Sequence, residues 1–392
     1  MAVNNMTKEQ AYQLINAIHT QATGQVAIQP TDLSSFISVA QSTLAAGYEQ
    51  TLNAITQVLS RTIVSVRPYD EKFKGLEMTA DQWGGIIRKL NFADTPAEAD
   101  PTHATVDGQS VDPYVVKKPV VLETRFVGSD VWMDSVTVFK DQLRTAFQNE
   151  SAFGSFMTGL MTHLLNKRTQ WLENQKRSLL ANMIAAKSDI GGGSVIHLLT
   201  EYNAAIGLAT PLTATTVMQP ANYGPFMKWV YARVSEVSRL MTERSQLFQQ
   251  NITGYPIMRH TPMADQRVYF AANFLEAMDA RVLADTYHDN FLRYADVEGV
   301  SFWQDINDPL KVSVTPVYVD NTGAVKAAAA NVAVDNVIGI IFDRDALGYN
   351  IYRDELETSA YNPKGSYYNI FYHLDIQLQS DVTEKAAIFL LD

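Results

Sequence analysis

The chain of 392 residues contains no cysteine. Disulfides, thiolate nucleophiles, cysteine-ligated zinc and iron–sulfur clusters are therefore excluded together. It also lacks a basic tract: 42 acidic residues against 31 basic ones give a net charge of −11. Affinity for nucleic acid rests mainly on Lys and Arg neutralising phosphates, so tight DNA binding is not expected. An acidic wall does suit a container to which packed DNA must not stick. No apolar run approaches the roughly 20 residues of a bilayer span, and Met1 to Gln10 is polar and mixed in charge, unlike a signal peptide. The expectation is synthesis in a cytoplasm and no membrane partner.

Catalytic signatures are missing as well. There is no phosphate loop, no His-Glu-x-x-His, no Gly-x-Ser-x-Gly and no dinucleotide fingerprint. Gly191-Gly192-Gly193 follows an apolar stripe instead of preceding one, which makes it a helix stop rather than an anion cradle. His19, His103, His163, His197, His260, His288 and His373 are scattered without metal-ligand spacing, the adjacent His288-Asp289 being the nearest approach to it. Paired acids stand at Asp343/Asp345 and at Asp354/Glu355/Glu357. Two carboxylates can serve a glycosidase, but both groups sit in turn-like text and read as solvated turns. No catalytic residue, cofactor or metal is expected.

What remains is ordinary material for a folded core, 46% hydrophobic and 19% charged. Residues 1 to about 60 read as helical, with Ala11, Leu14, Ile15, Ile18 and then Leu44, Tyr48, Leu52, Ile55 in helical spacing around a polar break from Gly24 to Asp32. Such a segment buries too little to stand alone and should lie against something larger. From Gly84 the texture turns to β. A strand at Ile86 to Phe92, a polar stretch holding Pro96, Pro101, Gly108 and Pro113, and a long β run from Tyr114 to Phe139 broken by Pro119 and Gly128 make an extended hairpin with a polar tip. A lone hairpin is marginal in water, so this one needs a neighbour.

Next, Phe153, Phe156, Met157, Leu160, Met161, Leu164, Leu165, Trp171, Leu172, Leu179, Leu180, Met183 and Ile184 recur at three- and four-residue steps, predicting a helix from Ser151 to Lys187 about 55 Å long. Lys167-Arg168 and Gln175 interrupt the stripe. Residues 198–345 look mixed α/β: a helix from Phe226 to Gln249, a strand Arg267 to Phe270 leading into a helix to Leu283, strands at Val300 to Trp303, Val312 to Val319 and Val337 to Phe342, and a turn at Asn321-Thr322-Gly323. Tyr367 to Leu378 and Ala386 to Leu391 read as two closing strands joined in a hairpin at Ser380-Asp381. Trp132, Trp171, Trp229 and Trp303 each lie in an apolar pattern and belong to core or interface.

Taken in order, these elements resemble the major capsid proteins of tailed double-stranded-DNA bacteriophages, the Hong Kong 97-type fold, and most of all those of small short-tailed phages of Gram-positive bacteria. The passages that carry the resemblance are Arg88-Lys89-Leu90-Asn91-Phe92, Lys118-Pro119-Val120-Val121-Leu122, Gln142-Leu143-Arg144-Thr145-Ala146-Phe147, Trp171-Leu172-Glu173-Asn174 and the closing strands from Tyr367 to Leu391. The resemblance implies an α+β fold with an N-terminal helical arm (1–83), an extended β-hairpin or E-loop (84–139), a peripheral domain with a spine helix (140–197), an axial domain (198–345) and the closing strands of the peripheral domain (346–392). It implies a protein of the virion that assembles with itself, in pentamers and hexamers of a shell. A separate scaffolding protein, a portal and decoration or head-fibre proteins are the other expected partners, with packaged DNA touched only non-specifically. Arg88, Lys89, Lys117, Lys118 and Arg125 on the hairpin are the expected intersubunit contacts. Some relatives join subunits by a Lys–Asn isopeptide bond; here the adjacent Lys117 and Lys118 before Pro119 look solvated, and no such bond to Asn362 is expected. The alternatives are a tail or connector protein, and a virion polysaccharide hydrolase using Asp343 and Asp345.

Overall fold

The computed structural model describes residues 8–25, 33–63, 72–78, 87–95, 97–148, 150–208, 210–276 and 297–392. Ile86, most of the break at 26–32, His288-Asp289 and the end of the helix expected to reach Leu283 lie outside these residues.

Three helices open the chain, α1 (Lys8–Thr23), α2 (Leu33–Ala45) and α3 (Tyr48–Ile63). Ala11, Ile15, Ile18, Phe36, Leu52 and Ile55 are buried, because the three apolar stripes face one another and the start of a longer helix, α5 (Glu150–Ile190). Phe36 meets Phe153 edge-on at 5.7 Å, and the Tyr12 hydroxyl donates to Glu150 at 2.7 Å. The larger body the arm needs is thus its own chain.

Helix α5 (Glu150–Ile190) runs 41 residues, about 60 Å at 1.5 Å per residue. Phe153, Met157, Leu160, Leu164, Leu172, Leu179, Leu180, Met183 and Ile184 are all buried along it. Burying each such side chain stabilises by about 1.5–3 kcal/mol before entropy is counted. Gly191, Gly192 and Gly193 all take positive φ, between 67° and 82°, which ends the helix where a residue with a Cβ would be strained.

Two sheets flank this helix. The first has three antiparallel strands in the order β12 (Leu347–Thr358), β13 (Tyr367–Ser380), β3 (Asp130–Phe139). Trp132 of β3 stacks on Trp171 of α5 at 5.9 Å, and Tyr372 of β13 meets Trp132 edge-on. The second has five strands, β4 (Val195–His197), β14 (Ala386–Leu390), β11 (Val337–Asp343), β5 (Gln266–Ala271) and β6 (Val297–Val300), in that order. Its outer pairs are parallel and its inner pairs antiparallel. Alternate residues face two cores: Val268, Phe270, Ile341 and Phe389 pack with helices α6 (Leu198–Ile206) and α8 (Pro220–Thr242), while Tyr269, Ile340, Phe342 and Ile388 face α5. A sheet buried on both sides reads as continuous apolar text, as 337–342 does. Gly339 leaves room there for the Phe270 ring, which would stand 2.3 Å from a Cβ.

Several expectations need correction. The long β run from Tyr114 to Phe139 is two strands: β2 (Val121–Phe126) pairs with β1 (Ile87–Phe92), while β3 leaves after Gly128 for the three-stranded sheet. The closing hairpin at Ser380-Asp381 does not form; β13 pairs with β12 and β3, and β14 enters the other sheet. Residues 347–358, read partly as a turn, are a strand carrying Asp354, Glu355 and Glu357. Helix α8 begins at Pro220 and ends at Thr242, so Leu247 lies outside it, 49% exposed. The strand at Val300 to Trp303 ends at Val300, where β6 stops. Val312 to Val319 divides into β7 (Val312–Val314), which pairs with β10 (Val332–Val334), and β8 (Val317–Val319), which pairs with β9 (Val325–Ala327); α4 (Lys140–Ala146) and α7 (Ala214–Val217) are short helices.

Candidate assembly surface

Strands β1 and β2 form a two-stranded ribbon whose register sorts its side chains cleanly. Arg88, Leu90, Phe92, Val121, Glu123 and Arg125 share the outward face and are all exposed, Leu90 at 58% and Phe92 at 62%. Ile87, Lys89, Asn91, Leu122, Thr124 and Phe126 share the other face and are partly or wholly covered. Beyond the ribbon, every residue from Ala97 to Val121 is exposed, including Tyr114 at 85%, Val115 at 64% and Val116 at 78%. Neighbouring strands of a single sheet cannot cover such apolar positions, and exposed apolar continuity of this kind marks an interaction surface.

The five expected contact residues separate on this frame. Arg88 and Arg125 are cross-strand neighbours on the outward face, and Glu123 accepts from both, at 2.6 and 2.9 Å. Those hydrogen bonds, from Arg125 first and Arg88 second, hold the Glu123 carboxyl down at about 2. Lys117 pairs with Glu98 on the tip, and Lys118 beside it is exposed. Lys89 differs: its ammonium turns inward to Asp381 at 2.9 Å and to Glu384. Burial would lower its pKa, but the two carboxylates outweigh burial and raise it.

Around Lys89 the structure assembles a charged junction that sequence analysis missed. The segment 381–385 joins β13 to β14. Asp381 is buried and accepts from the Thr383 backbone N–H at 2.9 Å and its hydroxyl at 2.6 Å. Arg259 donates to Glu384 and to Thr383. From beneath, Lys187 of α5 donates to the carbonyls of Phe248, Val382 and Glu384 at 2.8, 2.9 and 3.0 Å. Burial pushes Lys187 down to about 7, against the opposing pull of Asp381 and Glu384. Burial likewise leaves Glu384 raised, whereas Asp381 is lowered because Lys89 more than offsets its burial. One signal was available in sequence: Lys187 stands four residues after Met183 and three after Ile184, on the buried stripe. Nothing local marks Arg259 or Asp381.

The groups once weighed for hydrolysis do not face each other across a cleft. Asp343 is buried, accepting from the Thr261 hydroxyl at 2.6 Å and the Asp345 backbone N–H at 2.8 Å, while Asp345 is exposed beside Arg344. Asp354 is held by Arg168 at 2.9 Å and by the Tyr372 hydroxyl. Among the described residues no group of three or more His, Asp or Glu could hold a metal ion, and no helix is long and apolar enough to cross a membrane.

Comparison with known proteins bears on the fold and the family. A chain in the capsid structure of Staphylococcus phage Andhra superposes with a TM-score of 0.53 at 11% identity, over 84% of this chain and 86% of that one. A chain in the structure of the head fiber and inner core protein gp22 of native bacteriophage P68 gives 0.54 at 12% identity, over 82% and 84%. At such identities the likeness speaks for the fold, the Hong Kong 97-type α+β fold of phage capsid proteins. No curated protein sequence matches the chain. The family model of the Phi29-like phage major capsid protein, however, matches residues 15–390. An exposed tip and outward ribbon face, on a fold shared with phage capsid chains and under a family model running almost end to end, lead to one conclusion: this chain belongs to the Phi29-like phage major capsid proteins.

Proposed function

We propose that the protein closes into an icosahedral shell of pentamers and hexamers around the phage genome, each copy laying its hairpin tip on the next. The observation that carries this reading is the exposed stretch from Ala97 to Val121 with Tyr114, Val115, Val116 and Val120, continued by Leu90 and Phe92 on the ribbon. An extended apolar segment is stabilised when it orders on a partner, and a second copy of the chain is the partner always present at matching concentration. Arg88, Arg125, Lys117 and Lys118 lie on this same surface and supply its polar contacts. Residues 198–345, with α6 and α8, serve as the axial domain, and residues 140–197 and 346–392, with α5, β12 and β13, as the peripheral one, whose β4 and β14 enter the five-stranded sheet. The family is structural, and we assign the chain no catalytic step, cofactor or metal. A separate scaffolding protein, a portal and decoration or head-fibre proteins complete the proposed set of partners. With net charge −11 the chain meets packaged DNA without sequence preference. Electron microscopy of the concentrated protein, alone and with its scaffold, should show closed shells. Open single rings would instead favour a connector, and a monodisperse monomer under both conditions would end the reading.

A further inference from the structure

The ribbon β1–β2 has no third strand among the described residues, yet it is bonded to the body. Two polar contacts, one toward each end, account for this. Near the root, Lys89 reaches the carboxylates of Asp381 and Glu384 in the junction 381–385. At the tip end, Asp94 meets the loop between α8 and β5 three ways. Its backbone N–H donates to the Pro256 carbonyl at 2.7 Å, and its carboxylate accepts from the Met258 N–H at 2.8 Å and from Arg244. One bond backs the root contact, from the Gln377 amide to the Phe126 carbonyl at 2.9 Å. Past Phe126 the chain passes through Gly128, with φ 116° and open space where a Cβ would stand.

We propose that these contacts are a two-point latch that docks the ribbon on its own subunit, and that their release lets the ribbon pivot about Gly128. The contacts at both points are polar or ionic, so salt and single substitutions can weaken them. Separating Lys89 from Asp381 and Glu384 does not strand the two carboxylates, because Arg259 stays paired with Glu384 and the Thr383 N–H and hydroxyl stay on Asp381. The junction therefore has a paired state with the ribbon docked and another with it released, which a single buried ion pair would not have. Arg244 is 60% exposed, so the Asp94 contact alone is weak and sensitive to salt. Lys89 is the stronger point. The inference concerns the isolated subunit and does not depend on shell formation.

The absence of cysteine makes the test direct. Leu90→Cys and Ala232→Cys, one on the outward face of the ribbon and one on an exposed turn of α8, place two spin labels on the full unassembled chain. With the latch intact, pulsed electron paramagnetic resonance should give one narrow distance distribution. Adding Lys89→Gln and Asp94→Asn should broaden it and extend it to other distances, and Lys89→Arg alone should keep it narrow. Circular dichroism verifies the fold of each variant. Should Lys89→Gln unfold the chain, Asp94→Asn alone and a salt titration of the doubly labelled parent take its place, and either should broaden the distribution. A distribution that stays narrow in a folded double variant, or through both substitutes, overturns the latch.

Discussion

Lys187 shows how a single residue can set the pH response of a subunit. It is fully buried, and its ammonium donates to three backbone carbonyls while Asp381, Glu384, Lys89, Arg259 and Lys385 surround the same junction. Its folded pKa of about 7 lies below the ordinary 10.5, with burial as the leading cause. Between those two values the unfolded chain binds the proton and the folded chain does not, so stability rises with pH across that window. Below about 7 both states bind it, and the full cost of the buried charge is present. Lys385, pushed down to about 8 by burial, acts in the same direction. Chemical denaturation of unassembled subunits should therefore show stability climbing between pH 7 and pH 10, by up to about 1.4 kcal/mol per pH unit for one titrating group. Lys187→Met should flatten that climb; an unchanged slope would show that the buried ammonium keeps an ordinary pKa. A second residue-scale outcome concerns Gly339, where Gly339→Ala drives a methyl into the Phe270 ring. Repacking there should cost about 1–3 kcal/mol, measurable as a lowered melting temperature.

Among the elements, the spine is where sequence and structure agree most closely, because its stripe is long, free of proline and closed by glycines. Leu164 is 1% exposed and Leu165 6%. Replacing either by Asp places an unpaired charge in the core at a cost of several kcal/mol, and soluble yield with normal helicity would contradict that. Strand β12 was not legible for a physical reason: Gly348, Asn350, Asp354, Glu355 and Glu357 break the alternation that marks a half-buried strand, since its C-terminal half is largely open to solvent. The false hairpin at Ser380-Asp381 arose because polar text between two apolar strands looks like a tight turn. Here the polarity serves the ion junction, and partner choice between strands distant in sequence leaves no local mark. The exposed tip, by contrast, was visible in its prolines and polarity. The inward turn of Lys89 was not, since period-two alternation cannot say which face meets the body.

For the whole molecule, strength without covalent links is the expectation. Lys117 is paired with Glu98 on the exposed tip, and Asn362 is engaged in a turn, its amide donating to the Tyr367 hydroxyl at 3.0 Å and its carbonyl oxygen accepting from Lys364 and Gly365. Lys117 and Lys118 both stand exposed on that tip, outside any desolvated site of the kind such a bond requires. Mature particles boiled in detergent should run as one band near 43.7 kDa; a ladder of multimers would show that a cross-link forms. Protease should cut free subunits between Thr95 and Tyr114 and spare assembled shells, and equal cutting of both would remove the tip from the interface. The place of β14 has one more consequence. It lies inside the five-stranded sheet, between β4, nearly two hundred residues earlier, and β11. Until residues 386–390 have left the ribosome, β4 and β11 have no strand between them and both cores stay open. A nascent chain therefore cannot complete that sheet, and a subunit should become fit to join a shell only once synthesis has passed that strand.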